Sequence, residues 1–424
     1  MRKLKFNIWI IIGAFIIMYN PPLIPFNAMH LVGIISAVYY IYKKTVNGRF
    51  VLEKRVSRLY LQFAPVFVYL LLSFIFLKDA LFTNVLLPIY FLIDVIPFGL
   101  AVKIYGDSKG ADTEDYIELL LIVGTVQAIL SAIAYFVPAV QHFFVGRLLA
   151  YGYEEVFKDL MANRMFGFAD GLTYASAALQ ALLGVLAVVY GINQGHKKKY
   201  YFLGGLMCLS GVINARTAIV VVLVGLFSFF FFSKIKLRKK IRMITLISIF
   251  LIVFILIIIP IMQEYANMNL EWITKGFEEI VTLLTGQGAT GYFTYIVDGR
   301  RTVLPPTLFD TIFGLGVRTM GGNKYGVGSD IGYINDIWLG GIVYCILIYS
   351  LFGYFIWKMH KNKNRMVAFW GNMLLITFPL LNIKGYVCGM NDLSRIAVLT
   401  YLFFAFGGSL SKEHVNKQII KEST

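Results

Sequence analysis

Long apolar stretches separated by short polar connections make up most of the chain. They reach the length that a helix needs to cross a bilayer, and they lack the apolar–polar alternation of barrel strands. The pattern predicts an all-α polytopic integral membrane protein, a single transmembrane helical domain over residues 1–424 with about 12 transmembrane helices. The predicted spans are Phe6–Tyr19, Leu23–Tyr42, Leu59–Leu77, Leu81–Tyr105, Tyr116–Val140, Leu172–Ile192, Tyr200–Asn214, Ala215–Ser233, Ile241–Met262, Ile331–Trp357, Met366–Leu381 and Ile396–Phe406.

One apolar stretch, from Tyr200 to Ser233, is too long for one upright span and short for two. Its polar cluster runs from Asn214 to Thr217, so we predict a break there, with Arg216 at or just below the outer surface. The alternative is one long tilted helix, which would invert the predicted side of every later loop.

The net charge of +16 follows the predicted topology. Clusters of Lys and Arg fall on every second connection, as the positive-inside rule requires, and this places both termini in the cytoplasm. The basic excess therefore does not indicate nucleic-acid binding. The clusters are Arg2/Lys3/Lys5, Lys43/Lys44 with Lys54/Arg55/Arg58, Lys197–Lys199, Lys234 to Arg242 and Lys358 to Arg365.

Three connections on the opposite, extracytoplasmic side are larger and more varied in composition: residues 141–171, residues 263–330 between spans 9 and 10, and Asn382 to Arg395. We predict that residues 263–330 form the lid of an active site. Apolar residues recur at helical spacing from Ile273 to Leu284, which predicts an amphipathic helix. That helix could lie at the membrane interface or pack on the tops of the spans.

Arginines occur on the outer side, where the positive-inside bias would remove them. Alone, each is expected to pair with a carboxylate or to extend towards lipid headgroups. As a set they favour anion binding, because the planar guanidinium makes bidentate contacts to diphosphate. These arginines are Arg147, Arg164, Arg216, Arg300, Arg301, Arg318 and Arg395.

Candidate acid–base residues flank the start of the tenth span. Asp330 and Tyr333 are three apart, so on a helix they would share one face, and Asp336 lies more than a turn deeper. A carboxylate here could take a proton from a sugar hydroxyl, although Ser329 or Asp330 could equally be only a helix N-cap. Weaker candidates for the base are Glu264, Asp298, Asp310 and His142.

Other patterns in the sequence argue against a disulfide framework, a metal site and a nucleotide loop, and one keeps a transport function open. The three cysteines and five histidines are scattered, so neither a disulfide framework nor a metal site is predicted. The glycine-rich stretch Gly314–Gly322 follows no strand and carries no Walker lysine in register, which argues against a nucleotide loop. Asp94, in a span with Pro88 and Pro97, is a buried acid in a kinked helix and keeps a transport function open.

Several short motifs resemble those of bacterial O-antigen and capsular polysaccharide polymerases of the Wzy type, in the O-antigen ligase/polymerase superfamily. The resemblance covers most of the chain and includes the topology with its large outer loop. Its motifs are Asn163-Arg164-Met165-Phe166-Gly167, Asn214-Ala215-Arg216-Thr217-Ala218, Phe313-Gly314-Leu315-Gly316, Ser329-Asp330-Ile331-Gly332-Tyr333 and Gly340-Gly341.

The resemblance implies a metal-independent glycosyltransferase without cofactors at the outer face of the bacterial inner membrane. It would join undecaprenyl-diphosphate-linked repeat units into O-antigen (a part of lipopolysaccharide), capsule or exopolysaccharide, with a flippase and a chain-length regulator as partners. It implies that Arg164, Arg216 and Arg318 bind diphosphate, with Arg300 and Arg301 second.

Ligases of the superfamily place a histidine in the large outer loop. Residues 263–330 contain none, which favours a polymerase over a ligase. Asp330, Asp336 and Tyr333 are the catalytic candidates. An O-antigen ligase and a flippase or other transporter of lipid-linked oligosaccharides remain the alternatives.

Overall fold

The computed structural model describes residues 5–22, 27–46, 49–150, 164, 167–170, 174–232, 238, 241, 245, 282, 285, 301–320, 322–389 and 391–407. These residues are helical apart from turns and one short hairpin, as the apolar pattern predicts. The elements are α1 (Ile8–Tyr19), α2 (Ala28–Lys44), β1 (Thr45–Val46), β2 (Arg49–Phe50), α3 (Lys54–Phe76), α4 (Phe82–Tyr90), a π-helical turn (Phe91–Val95), α5 (Ile96–Ser108), α6 (Thr113–Phe136), α7 (Pro138–Ala150), α8 (Tyr174–Asn193), α9 (Lys198–Asn214), α10 (Thr217–Phe232), α11 (Leu308–Phe313), α12 (Gly332–His360), α13 (Arg365–Leu381) and α14 (Asp392–Phe404).

Among the described residues, five helices are long and apolar enough to cross a membrane. They are α3, the continuous α4–π–α5 helix, α6, α8 and α12. Phe82–Ser108 has 27 residues, or about 40 Å at 1.5 Å per residue, against a hydrocarbon core of about 30 Å. Apolar side chains such as Trp9 and Val38 are exposed on the surface of the chain. These features indicate an integral membrane protein.

The chain divides into two compact units. Unit 1 comprises residues 1–127, 168–171 and 303–424, and unit 2 comprises residues 128–167 and 172–302. In unit 2, α9 and α10 pack on α8 through glycines that leave no room for a side chain. Gly184 lies against Cys208, and Gly211 lies against the carbonyl of Ala177. Small residues at such contacts are typical of helices that associate within a membrane.

The predicted break in the stretch from Tyr200 to Ser233 is confirmed. Helix α9 ends at Asn214, Ala215 is extended (φ −155°, ψ 146°), and α10 begins at Thr217. The hydroxyl of Thr217 donates a hydrogen bond of 3.3 Å to the carbonyl of Tyr174, which fixes the start of α10 on α8. The alternative of one long helix is therefore wrong.

In unit 1, α12 is broken at Gly340 and Gly341, whereas the apolar pattern predicts one uninterrupted span there. Gly341 has φ +65°, a conformation that a residue with a Cβ rarely adopts. The segment after α11 occupies the break, where the N–H of Leu315 donates to the carbonyl of Trp338 at 2.9 Å. The hydroxyl of Tyr69 donates to the carbonyl of Gly340 at 2.7 Å. The chain between α11 and α12 thus packs against the middle of α12, which is a long apolar helix.

Some sequence predictions need correction or lie outside the described residues. The connection 141–171 is not all loop, because α7 continues to Ala150. Helix α14 begins at Asp392, so Arg395 lies within a helix. Most of the span Ile241–Met262 and most of the amphipathic helix within Ile273–Leu284 lie outside the described residues, as do Glu264, Asp298 and Arg300.

Candidate functional site

Two of the predicted diphosphate-binding arginines lie close together in unit 2. Arg164 is half-buried, and its pKa is lowered first by that burial and then by the positive charge of Arg216. Arg216 lies at the break between α9 and α10, where the extended residue before it ends one helix. Two cations this close, and partly removed from water, form an arrangement that a multiply charged anion stabilises.

Arg301 also belongs to unit 2 and is half-buried. Arg318 belongs to unit 1, where its guanidinium carbon lies 4.0 Å from the centroid of the Tyr386 ring. Stacking of this kind holds a guanidinium plane in one orientation while its charge remains. The charge of Arg318 also acts on the carboxylate of Asp336, so these two side chains are neighbours.

Asp336 is buried at the centre of a polar chain in unit 1. The hydroxyl of Tyr349 donates to Asp336 Oδ2 at 2.7 Å, and Asn382 Nδ2 donates to the Tyr349 hydroxyl at 2.9 Å. The other carboxylate oxygen, Oδ1, has no hydrogen-bond partner among the described residues. A buried carboxylate with one fixed and one available oxygen, beside Arg318, is suited to accept a proton.

The break in α12 creates this arrangement. Asp336 and Tyr349 are 13 positions apart, which in a straight helix separates them by about 20 Å along the axis. Their side chains could not span that distance, so the hydrogen bond requires the change of direction at Gly340 and Gly341. Sequence reasoning missed Tyr349 and Asn382; a tyrosine within an apolar run was the available signal.

Asp330 and Tyr333 lie close to this chain but do not share a helix face. Helix α12 begins at Gly332, with Ile331 as its N-cap residue. The prediction that Ser329 or Asp330 caps this helix is therefore wrong. Asp330 instead lies 3.5 Å from Lys384 Nζ, in an ion pair that is partly exposed. The hydroxyl of Tyr333 donates to the carbonyl of Pro379 at 3.0 Å.

Asn335 fixes the backbone that carries Arg318. Its side-chain oxygen accepts hydrogen bonds from the N–H groups of Thr319, at 3.0 Å, and Met320, at 2.9 Å. Its amide nitrogen donates to the carbonyl of Ser329 at 2.8 Å. The same nitrogen donates to the carbonyl of Ile331 at 2.9 Å. Because all four amide contacts are to backbone, substitution of Asn335 would move the loop that positions Arg318.

Of the other arginines predicted to lie on the outer side, Arg395 and Arg147 have different surroundings. Arg395 is fully buried and donates to both oxygens of Asp170, at 2.8 and 3.3 Å, and to Asp392. These contacts give it the ion-pairing role that was the alternative to anion binding. Arg147 is exposed on α7, with its guanidinium 5.4 Å from the centre of the Phe143 ring.

Among the described residues, the candidate site coincides with neither a group of metal ligands nor the apolar cavity in unit 1. In the part of the chain that the structure describes, no three His, Cys, Asp or Glu side chains are grouped so that they could hold a metal ion. An apolar cavity of about 430 Å³ in unit 1 is lined by Tyr40, Ile41, Phe50, Tyr60, Leu61 and neighbours. Its lining includes none of the predicted site residues, so the cavity is not part of the candidate site.

No protein-family model, curated protein or solved structure matches the chain. The likeness to polysaccharide polymerases therefore stays a prediction, based on the motifs in the sequence.

Proposed function

We propose that the chain is a membrane glycosyltransferase that polymerises undecaprenyl-diphosphate-linked oligosaccharide repeat units into O-antigen, capsular or exopolysaccharide. The observation that supports it is the close approach of Arg164 and Arg216 within unit 2. Two positive charges at this distance repel each other, and a diphosphate in contact with both guanidinium groups would offset that repulsion.

In the proposed reaction, a hydroxyl of the acceptor unit attacks the anomeric carbon of the donor unit. The bond from that carbon to the diphosphate oxygen breaks, and undecaprenyl diphosphate leaves with the bonding electrons. The hydroxyl proton passes to a basic side chain, for which Asp336, Asp330 and Tyr333 are the candidates. Diphosphate is a good leaving group when arginines neutralise its charge, so this chemistry requires neither a metal nor an organic cofactor.

The proposal includes the finer topology: about 12 spans in the bacterial inner membrane, with both termini cytoplasmic and residues 263–330 outside. Arg300, Arg301 and Arg318 are further candidates for contacts to the diphosphate. A flippase that supplies lipid-linked units and a chain-length regulator are the expected partners. A reporter fused after Gly299 should read as extracytoplasmic, and a cytoplasmic signal would overturn the topology.

The decisive experiment supplies purified protein in liposomes with lipid-linked repeat units and separates the products by length. We expect a ladder of longer chains from the native protein. The variants Arg164→Ala and Arg216→Ala should each lose chain growth by two orders of magnitude or more, as removal of an electrostatic contact to a leaving group does (about 10²–10³-fold). Arg365→Ala, which changes an exposed arginine at the start of α13, is the matched control and should retain the ladder.

A full ladder from Arg216→Ala protein would remove this arginine from the site. Movement of repeat units across the bilayer without any lengthening would favour the second candidate, a transporter of lipid-linked oligosaccharides. One observation favours that candidate: in unit 1, Asp94 of the apolar helix Phe82–Ser108 pairs with His30 of α2.

A further inference from the structure

Asp94 lies on the π-helical turn between α4 and α5 and is fully buried. Its Oδ2 lies 2.7 Å from Nδ1 of His30 on α2, which is a hydrogen-bond distance. Its Oδ1 has no hydrogen-bond partner among the described residues. Single π-turns within α-helices occur often at functional sites, and ionisable groups within membrane spans are rare unless they have a function.

Among the titratable and charged side chains around Asp94, His30 is the partner that can change its protonation. Helix α4 contributes Tyr90, whose ring centroid lies 5.1 Å from that of His30. Helix α14 contributes Arg395, whose charge acts on Asp94 and which already contacts the carboxylates of two further acids. Those acids are Asp392 on α14 and Asp170 on the short segment 168–171.

The other helices around this turn offer apolar rings. Phe63 on α3 and Phe352 on α12 both pack on Phe91 at the start of the π-turn. Arg395 has its charge offset by Asp170 and Asp392, so it contributes no net positive charge as a group with them. Among these described side chains, the negative charge of the buried Asp94 carboxylate is therefore offset through the proton that it shares with the His30 imidazole.

His30 is placed to exchange that proton with the outside of the bundle. It lies in the first turn of α2, where the helix dipole disfavours added positive charge. Its side chain is 33% exposed, whereas that of Asp94 is 0% exposed. One proton lies between Nδ1 and Oδ2 in every state with this contact, and a second can bind at Nε2 of the ring or at the free carboxylate oxygen.

We propose that the His30–Asp94 pair is a proton-binding site in the membrane bundle, which takes up and releases a proton through the exposed edge of the imidazole. The site is independent of the proposed glycosyl transfer, because none of the residues assigned to that reaction belongs to it. Its ligand is a proton from water, and its states differ in the charge held within the apolar bundle.

The test is labelling of the full-length protein with dicyclohexylcarbodiimide, an apolar reagent that adds to protonated carboxyl groups within membranes. Peptides are analysed by mass spectrometry after reaction between about pH 5 and pH 9, the range in which histidine and its partners change charge. We expect labelling of Asp94 that falls as the pH rises. The variant His30→Asn should fold and should move the midpoint of the labelling curve up by about one pH unit or more, because a partner able to carry positive charge is lost.

Asp115 is the matched internal control. Its carboxylate is also fully buried, but it pairs with the ammonium of Lys5 at 3.2 Å, so we expect little labelling throughout this range. The proposal is overturned if Asp94 reacts no more than Asp115 at every pH, or if its labelling does not change with pH. It is equally overturned if His30→Asn leaves the curve in place. None of these results depends on chain growth, so failure of the polymerase proposal would be seen separately.

Discussion

The substitution Arg395→Met tests whether the buried ion cluster in unit 1 stabilises the fold. Arg395 makes two hydrogen bonds to Asp170 and one to Asp392, and Asn20 adds another to Asp170 at 2.7 Å. The cluster therefore joins the end of α1, the segment 168–171 and α14. Methionine retains most of the volume and leaves the two carboxylates without their cation.

The size of the effect follows from these contacts. Three hydrogen bonds to charged groups contribute about 4.5–9 kcal/mol before the cost of burying the guanidinium, which is several kcal/mol, is subtracted. Removing one partner of a buried pair typically costs about 3–5 kcal/mol, and we expect that loss for Arg395→Met. At about 2 °C per kcal/mol for a unit of roughly 250 residues, the midpoint of thermal unfolding falls by about 6–10 °C.

Tryptophan fluorescence of the purified protein measures this midpoint, because Trp338 and Trp370 are both buried in unit 1. The control Arg365→Met changes an exposed arginine and should shift stability by no more than about 0.5 kcal/mol. Adding Asp170→Asn and Asp392→Asn to the Arg395→Met protein should recover part of the loss, since the stranded charges are gone. The reasoning is refuted if Arg395→Met unfolds at the same temperature as Arg365→Met, or if the triple variant is no more stable than Arg395→Met.

Two further predictions concern Gly341 and Asp79 in unit 1. Gly341→Ala should lower the free energy of unfolding by at least about 1–2 kcal/mol, because Gly341 has φ +65° and a Cβ there meets backbone. Gly353→Ala, in open space on the same helix, is the control and should be neutral or stabilising. Equal thermal midpoints for the two variants would contradict the tight fit at Gly341. The pKa of Asp79 is lowered first by a hydrogen bond from Lys324 and then by one from Tyr325. The ionised Asp79 therefore stabilises the folded protein above the ordinary aspartate pKa of about 4, and this stabilisation is lost as the pH falls through the lower pKa of the folded state. The native protein should therefore exceed Asp79→Asn in thermal midpoint at neutral pH and approach it in acid, and a difference that persists at low pH would count against this account.

The positions of the described helices could be predicted because the signal is local. A helix that spans a membrane needs a continuous apolar stretch, and the polar cluster at Asn214 to Thr217 ends such a stretch wherever the rest of the chain lies. The observed boundaries at Asn214 and Thr217 follow from that rule. Helix α7 was missed because polar residues after Val140, such as His142 and Arg147, make this stretch resemble a loop.

The break in α12 could not be predicted in the same way. Two adjacent glycines in an apolar run are also common where helices pack closely, so the sequence alone does not distinguish the two cases. The difference is made by the chain near Leu315, which supplies the N–H groups that the interrupted helix needs. The contact of Tyr349 with Asp336 depends on this break and was hidden for the same reason.

The arginines show where sequence reasoning about the site ends. Arg395 and Arg216 both stand beside apolar runs on the predicted outer side, and their residue type and spacing predict the same role. Asp170, which neutralises Arg395, lies 225 positions earlier in the chain, so only the fold shows that this charge has fixed partners. Near Arg216 the fold places a second cation, Arg164. A buried cation held between carboxylates stabilises structure, whereas two neighbouring guanidinium groups suit contacts to a multiply charged anion. That contrast is the physical reason for assigning ligand binding to the Arg164–Arg216 pair and a structural role to Arg395.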